Sequence, residues 1–489
     1  MSKKRRKRTS PKRRAKKQKR PILPLFIFAM LFIFLAVFVG FKATEDGTFE
    51  VIDYTSGKRE VLNTYHHFIL AKHEMMKSDS ELICVSDKDG NIVALNHGIV
   101  NLKTKNVSEN TTYTIDGSDQ QGYTNGNYGA DALYLDTSRD GTKIKMLLSG
   151  VTAWVNTSDI QLYFCSNNVH TSYYYVKDGT LMHAISTSVV DNHVAKYGIG
   201  PAPEGLKENT YYYSYDGHWF YTSLNTYARD IKAGSVTHAA NKSAYYNYYQ
   251  YMPHRSKSNL STTSYSAYLR NLAQVEDNSS ALYNAGNLFI QAQKKYGVNA
   301  AMMFSLACNE SNYGRSSIAL NNNNLFGHAV YDSSPDSANS YSSVKQCINS
   351  HAYDFIQKGF ANPQDSRYHG SWFGDKASGI NVDYASDPYW GEKNAAMYYS
   401  LEPEIYKKNN LICFQAKKDI DVYDASGSVL YSYKAGATVS FLKIKNAGNK
   451  IEVASETPIQ NHTSDVKASY NNAKAYVKKA IFANKRYPR

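Results

Sequence analysis

The chain has 489 residues, 42% hydrophobic and 20% charged, which is the composition of a globular protein with room for roughly two to four domains. Its formal charge of +14 resembles that of a nucleic-acid-binding protein, but 13 of its 56 lysines and arginines lie in residues 1–20. The other 43 face 42 acidic residues, and no helix-turn-helix, zinc finger or aromatic sheet motif accompanies the basic run. We therefore expect no nucleic-acid partner.

Residues 21–41 directly follow the basic run and contain no charged side chain. As a helix they would be about 30 Å long, the thickness of the hydrocarbon core of a bilayer. The competing interpretation is a cleaved signal peptide, whose apolar region is normally shorter, about 7–15 residues. We expect a cytoplasmic tail over 1–20 that also contacts anionic lipid, a transmembrane helix over 21–42, and a single-pass cell-membrane protein with the rest of the chain outside.

The five cysteines are widely spaced, odd in number and without a CxxC pair. This pattern supports neither a zinc site nor a disulfide framework, so we expect no metal site. Cys308 lies inside an apolar stretch and is expected to be a small core residue rather than a nucleophile.

Residues 43–165 and 411–489 consist of short stretches of alternating polarity, separated by Gly, Asn and Asp. This pattern predicts two small all-β modules, a barrel or sandwich over 43–165 and a small β-barrel over 411–489. Between Tyr211 and Tyr251 the chain has 11 tyrosines, which fit either a sugar-binding groove or a packed segment with buried rings. We predict an ordered, tyrosine-rich connector over 166–284.

Residues 285–407 change to helical periodicity. One helix is predicted to end at Gly297, and the next to begin after Asn299 as its N-cap. The second helix is apolar on all sides and should be buried. Further helices are expected at 343–358 and 391–401, so this part is predicted to be a mainly helical domain.

Glu310 ends the apolar helix, with Gly314 shortly after it. Apolar surroundings and the carbonyl dipoles of a helix end both disfavour a charged carboxylate, so the carboxyl group tends to keep its proton. A protonated carboxyl near neutral pH is what a general acid requires. The alternative is a solvated surface residue with no role in chemistry.

Three motifs follow in order: ESNYGRSSIA, which contains Glu310, then NNLFG, then YASDPYW. Together they resemble the catalytic domain of bacterial peptidoglycan N-acetylglucosaminidases (glycoside hydrolase family 73, mannosyl-glycoprotein endo-beta-N-acetylglucosaminidase-like), over residues 285–405. The tyrosine-rich segment is similar to that of membrane-anchored members. The resemblance implies an α+β lysozyme-like fold, no cofactor, and cleavage of cell-wall glycan at the β-1,4 bond after N-acetylglucosamine.

The resemblance also implies roles for individual residues. Glu310 matches the catalytic acid, and Tyr384 matches a tyrosine in the substrate groove that supports activity. The loop residues Asn324, Leu325, Phe326 and Gly327 match the family's loop under the groove, which shapes the groove more than it reacts. Asp387 is expected to form a turn or to position the groove. The expected substrate-binding residues are Asn324, Phe326, Gly327, Asp387 and Tyr389.

The second catalytic group is left open, because the separation of two carboxylates cannot be read from a sequence. Asp332 and Asp336 lie in the region expected to form a small lobe and are candidates for activating water. Assistance by the substrate's own acetamido group is the alternative. His254 and His328 are candidates for sugar contacts.

We interpret the protein as a membrane-anchored peptidoglycan hydrolase whose partners are glycan strands and a membrane protein that the sequence does not identify. The competing interpretation is a non-catalytic wall-binding scaffold with a degenerate hydrolase fold. The β modules resemble SH3-like wall-binding domains in size and pattern, or they serve to pack against the catalytic domain.

Overall fold

The computed structural model describes residues 48–165, 168–276, 279–328, 339–457, 459–460, 463–464 and 473–482. The basic run, the predicted transmembrane segment, Asp332 and Asp336 all lie outside these ranges. Inside them, no helix combines the length and the apolar character needed to cross a bilayer. The expectations about the tail, the anchor and the two aspartates therefore stay predictions.

Residues 48–165, expected to be one β module, form two antiparallel sheets that share a core. The first has the order β2-β1-β3-β4 and packs against helix α1, and the second has the order β11-β5-β8-β9-β10-β6-β7. Ile52 and Cys84 of the first sheet pack with Val100 and Met146 of the second, which joins them. The elements are β1 Phe49–Asp53, β2 Glu60–Tyr65, α1 Phe68–Met75, β3 Ile83–Ser86, β4 Ile92–Leu95, β5 Ile99–Asn101, β6 Thr111–Ile115, β7 Gln121–Thr124, β8 Asp131–Thr137, β9 Lys143–Leu148, β10 Val151–Asn156 and β11 Gln161–Tyr163.

Residues 173–201, expected to belong to a connector, form a third antiparallel sheet: β12 Tyr173–Lys177, β13 Thr180–Ser188 and β14 His193–Pro201. Asp178 and Gly179 close its first hairpin with φ of 51° and 72°, the positive values of a type I′ turn. An Asp-Gly pair between two alternating runs is the sequence signal for this hairpin. The prediction of a connector over 166–284 did not include it.

The tyrosines that follow the third sheet bury their rings, as the packing interpretation predicts. Six of them are exposed by 2% or less: Tyr212, Tyr215, Tyr221, Tyr227, Tyr249 and Tyr251. Three helices accompany them: α2 Leu224–Lys232, α3 Tyr248–Tyr251 and α4 Thr262–Leu272. These rings therefore serve as core rather than as a sugar-binding surface.

The described residues of the next part are helices and loops, which confirms the predicted change of periodicity. Helix α6 lies at its centre, with nine consecutive residues buried from Ala300 to Cys308. The elements are α5 Gly286–Tyr296, α6 Ala300–Glu310, α7 Ser317–Asn322, α8 Val344–Ser350, a π-helix His351–Phe360, α9 Asn381–Tyr384, α10 Trp390–Leu401 and a 3-10 turn Ile405–Lys408.

The strands predicted after residue 411 are confirmed as a sheet in the order β15-β18-β19-β22-β16-β17, beside a short pair β20-β21. This sheet packs on the tyrosine-rich segment and on the helical part. The Ser440 hydroxyl donates to the Tyr251 carbonyl at 2.6 Å, and the Ser371 amide donates to the Glu456 carboxylate at 3.1 Å. Its likeness to SH3-like domains stays a prediction. The strands are β15 Leu411–Gln415, β16 Ile420–Tyr423, β17 Val429–Tyr433, β18 Thr438–Ala447, β19 Lys450–Ala454, β20 Ile459–Gln460, β21 Thr463–Ser464 and β22 Lys474–Lys478.

Candidate active site

Helix α6 delivers Glu310 from the core to the surface. Its N-cap is Asn299, as predicted: the side-chain oxygen accepts from the amides of Ala301 and Met302 at 2.9 and 3.0 Å. The helix is buried until its last turn, where Glu310 reaches solvent with part of its surface. The acid is therefore held by a rigid, capped helix and is still open to a ligand.

The surroundings of Glu310 favour its protonated form. The pKa of Glu310 is raised to about 7, mainly because the group is buried. Hydrogen bonds from Trp390 and Asn309 lower this pKa, and the negative charge of Asp387 raises it. The Trp390 indole nitrogen donates to Oε1 of Glu310 at 2.5 Å, and Asn309 Nδ2 donates to the same oxygen at 3.3 Å. A carboxyl group tuned in this way can give up a proton near neutral pH.

The NNLFG loop brings its backbone against Glu310. Gly327 has a φ of 64°, and a Cβ placed there would lie 3.0 Å from Oε2 of Glu310. Both the left-handed backbone and the close approach require a glycine. Gly327 thus lies beside the acid, and its expected role in substrate binding stays a prediction.

Asn324 and Phe326 shape this loop from inside, which changes the expectation that they contact substrate. Asn324 is 2% exposed, and its amide donates to the carbonyls of His328 and Asn339 at 2.9 and 3.1 Å. Phe326 is fully buried and stacks on His351, with ring centroids 3.7 Å apart. Both side chains are buried and engaged in contacts that hold the turn, so neither is exposed to a ligand.

Tyr384 joins the late motif to the loop. Its hydroxyl donates to the carbonyl oxygen of Phe326 at 2.6 Å, and its ring stacks on Trp390 with centroids 4.8 Å apart. Burial and the nearby charge of Glu310 raise the pKa of the phenol well above 10, so it stays neutral. Tyr384 is partly exposed and lies close to the acid, and its expected supporting role in activity stays a prediction.

Asp387 and Tyr389 were both expected to contact substrate, and the structure separates them. Asp387 accepts from Lys393 Nζ at 2.5 Å and from the Tyr389 amide at 2.9 Å, and it acts electrostatically on Glu310. The Tyr389 side chain is 2% exposed and packs against Gly129, in the loop between β7 and β8. Tyr389 is therefore an interdomain contact, and its expected role in binding is corrected.

Residues of the second sheet and its turns form hydrogen bonds with the segment that carries Tyr384. The Tyr123 hydroxyl donates to the Asp383 carbonyl at 2.9 Å, the Asn125 amide to the Ser386 carbonyl at 2.9 Å, and the Ser149 hydroxyl to the Pro388 carbonyl at 2.6 Å. These donors all lie outside the helical part of the chain.

The buried Lys376 side chain also forms hydrogen bonds with this segment. Its ammonium group donates to the carbonyls of Asn381 and Ala385 at 2.9 and 2.7 Å and lies 4.8 Å from the ring centre of Tyr123. Burial lowers the pKa of Lys376 to about 8. The position of Tyr384 therefore depends on both parts of the molecule.

Trp390 and Lys376 were missed from the sequence. Trp390 is the last residue of the YASDPYW motif, so the motif is a sequence signal for it, but only the fold places its indole beside Glu310. His254 and His328, expected to contact sugar, are 0% and 2% exposed. His254 bonds to the Ser371 carbonyl and His328 to His351, at 2.6 and 3.1 Å, so both support the core instead.

An acid whose pKa is raised by burial is the group that glycoside hydrolases use as general acid. Here such an acid, partly exposed, lies at a helix end and faces a glycine-bearing loop and a tyrosine. Residues 286–403 match the family model Glucosaminidase, described as mannosyl-glycoprotein endo-beta-N-acetylglucosaminidase. The chain therefore carries a glucosaminidase domain. Glu310, Gly327, Tyr384 and Trp390 all lie within it.

Two proteins of Streptococcus pneumoniae, from serotype 4 strain TIGR4 and strain R6, are 31% and 32% identical over 219 residues. Both carry the provisional name endo-beta-N-acetylglucosaminidase. The alignment covers 42% of this chain and 32% and 30% of theirs, so the chain spans about a third of the length of these relatives.

Solved structures also overlap this part of the chain. A catalytic mutant of S. aureus autolysin E in complex with the disaccharide NAG-NAM is 22% identical with a TM-score of 0.24, covering 33% of this chain and 72% of that one. The major bifunctional autolysin is 22% identical with a TM-score of 0.23, covering 32% and 68%. Overlaps with TM-scores this low support no statement about function.

Proposed function

We propose that this protein hydrolyses the glycan strands of peptidoglycan, cutting the β-1,4 bond after N-acetylglucosamine, with Glu310 as the general acid. The observation that carries the proposal is the Glu310 carboxyl group, partly exposed and with a pKa of about 7, inside a glucosaminidase domain. Close to pH 7 about half of such groups hold a proton that can pass to the departing glycosidic oxygen.

The proton transfer leaves a carboxylate on Glu310 that the site can stabilise. As the bond between the anomeric carbon and the bridging oxygen breaks, the proton moves to that oxygen and negative charge appears on Glu310. The Trp390 indole already points a donor at this carboxyl group, 2.5 Å from Oε1. Water then restores the proton after the product leaves.

The attack on the anomeric carbon has two routes. In one, a second carboxylate activates water and the anomeric configuration inverts; Asp332 and Asp336 remain the candidates. In the other, the substrate's acetamido oxygen attacks first and the configuration is retained. Proton NMR of the fresh reducing end distinguishes the routes: the α anomer indicates inversion and the β anomer indicates retention.

The first experiment compares residues 43–489 with their Glu310→Gln variant on purified peptidoglycan. The products are reduced and analysed by mass spectrometry. We expect reducing-end N-acetylglucosamine from the parent and at least a hundredfold less from Glu310→Gln. Glu404→Gln is the matched control, since Glu404 is a largely exposed carboxylate paired with Lys407 just beyond the matched domain.

Three other outcomes contradict the proposal in different ways. Equal release by the parent and Glu310→Gln would exclude Glu310 as the acid. Release of reducing-end N-acetylmuramic acid would mean that a different bond is cut. Binding to wall with no release by either protein would support the non-catalytic scaffold.

We also propose that residues 1–42 anchor the enzyme at the cell membrane, with the basic tail inside and the catalytic domain outside. The dense positive charge of residues 1–20 beside an uncharged apolar run supports this orientation. Protease added to intact cells should digest the C-terminal part and spare the tail. A protected C-terminus would contradict this orientation.

A further inference from the structure

The second sheet has a cleft of about 450 Å³. All its lining residues lie between Thr114 and Trp154, far from Glu310 in the sequence. It lies between the turn after β6 and the turn before β9, and Trp154 lines it together with polar groups. Its lining includes the exposed polar residues Ser118, Asp119 and Lys143 and the half-buried Ser138. An aromatic ring among hydroxyl, carboxylate and ammonium groups is suited to a pyranose, which has apolar ring faces and a polar rim.

Trp154 is held in place before any ligand arrives. Its indole nitrogen donates to Asp116 Oδ1 at 2.7 Å, and the other oxygen of Asp116 pairs with Lys145 at 2.6 Å. The Lys145 ammonium also lies 5.6 Å from the centre of the indole ring. A ring that is already fixed loses little side-chain entropy on binding, which favours recognition.

Strand register connects this cleft to the catalytic segment. Residues directly opposite each other on antiparallel strands point to the same face, and so do alternate residues of one strand. Trp154 is opposite Thr114, Thr114 is opposite Gln121, and Gln121 is two residues from Tyr123. Trp154 and Tyr123 therefore share the outer face of the sheet.

The two ends of this path are close together. Two strand spacings separate Trp154 from Gln121 and two residues of rise separate Gln121 from Tyr123, which gives about 12 Å. Tyr123 in turn donates to the carbonyl of Asp383, the neighbour of Tyr384. This contact places the segment that bears Tyr384 beside the sheet face that carries Trp154, two strands away.

We propose that the Trp154 cleft is an accessory saccharide subsite, which binds a distant N-acetylated sugar of the same glycan strand that Glu310 cleaves. The inference rests on the proposed function, since it takes its ligand class from there. It assigns the second sheet a part in substrate recognition, and it makes long glycan strands better ligands than short ones.

The test measures binding of a dimer and an octamer of β-1,4-linked N-acetylglucosamine by calorimetry. The full-length Glu310→Gln chain in detergent micelles is the reference, because it should not consume the ligand. Trp154→Ala should weaken octamer binding by about three- to tenfold and leave the dimer unchanged, as expected for the loss of one aromatic contact. Trp154→Phe, which keeps a ring, should retain most of the affinity.

A second variant and a control protect the interpretation. Ser118→Arg fills the cleft from an exposed position, leaves Trp154 in place, and should reproduce the loss. Tyr423→Ala is the matched control, because Tyr423 is a surface aromatic of the C-terminal sheet that also lies under lysines, with Lys478 5.0 Å from its ring centre. It should bind both oligomers as the reference does.

Octamer binding that is absent in the reference, unchanged in both cleft variants, or weakened equally with dimer binding would overturn the inference. Failure of this inference can be told apart from failure of the proposed function. If only the subsite inference fails, the parent protein still cleaves wall glycan in a Glu310-dependent manner. If the proposed function fails, that cleavage is missing whatever the cleft variants bind.

Discussion

The indole nitrogen of Trp390 lies 2.5 Å from Oε1 of Glu310, although 80 residues separate the two in the chain. The same indole ring stacks on Tyr384, whose hydroxyl reaches the loop that passes Glu310. Trp390 thus contacts both residues to which the family resemblance gives a role in catalysis. Its hydrogen bond lowers the pKa of Glu310, against the raising effect of burial.

Trp390→Phe should move the alkaline side of the pH profile to higher pH. The general acid works in its protonated form, so activity is lost as pH rises through the Glu310 pKa of about 7. Removing the indole N–H removes a group that lowers this pKa, and the protonated form then persists to higher pH. The measurement is kcat/KM against pH on soluble glycan; an unchanged alkaline limb would contradict it.

Asp387→Asn should move the same limb the opposite way. The negative charge of Asp387 raises the pKa of Glu310, and its removal also leaves the Lys393 cation nearby without its carboxylate. Both changes favour the ionised form of Glu310, so activity should decline at lower pH than in the parent. Shifts of the same sign in the two variants would exclude this electrostatic account.

Gly327→Ala should reduce kcat strongly. The new Cβ meets Oε2 of Glu310 at 3.0 Å and must be accommodated at a φ of 64°. The left-handed backbone alone costs about 1 kcal/mol. Gly448→Ala is the matched control, with φ of 59° and open space around its Cβ, so it carries the backbone cost alone. Equal kcat in the two variants would mean that the contact with Glu310 has no effect.

Lys376→Met should lower both activity and stability. The change removes hydrogen bonds from a buried ammonium group to the segment that bears Tyr384. Each such bond to a charged donor contributes about 1.5–3 kcal/mol. We expect kcat to fall more than KM rises, and the urea midpoint to drop. Lys242→Met is the control, because Lys242 is 80% exposed and pairs with an equally exposed Glu204.

His328→Phe should make the stability less sensitive to acid. Burial lowers the pKa of His328 to about 3, so the folded protein leaves this group neutral while the unfolded chain protonates it below about 6.5. Folding stability contributed by the neutral group is therefore lost as pH falls, by about 2 kcal/mol between pH 7 and 5. Phe cannot titrate, so the variant should lose about that much less over this interval.

Urea unfolding of both proteins at the two pH values measures the difference. The variant will be less stable at pH 7, because His328 bonds to Tyr341 at 2.6 Å and to His351. Glu310 and Glu456 have raised pKa values of about 7 and oppose the trend, since their contribution is lost as pH rises from about 4.5. Both are present in each protein and cancel in the comparison. Parallel losses would show that His328 does not stay neutral.

Local pattern was sufficient for the elements that hold the acid. The helix stop at Gly297, the N-cap Asn299 and the apolar helix are signals within a few residues of one another, and each appears as expected. The alternating runs after residue 411 likewise become strands. The Asp178-Gly179 hairpin shows the limit, since its signal is equally local but lies in a region dominated by tyrosines.

The sequence by itself determined which residue is the candidate acid, which helix carries it and which family the surrounding motifs resemble, because these depend on chain neighbours. Only the tertiary structure decided what surrounds Glu310. Burial in the folded core raises its pKa, Trp390 lowers it and Asp387 raises it, and these two residues are some 80 positions away in the chain. Tyr384 lies in a segment held by a sheet outside the matched domain. The structure also turned Tyr389 away from the site and into a contact between domains. Desolvation and hydrogen bonding act through space, and only packing brings such distant groups together.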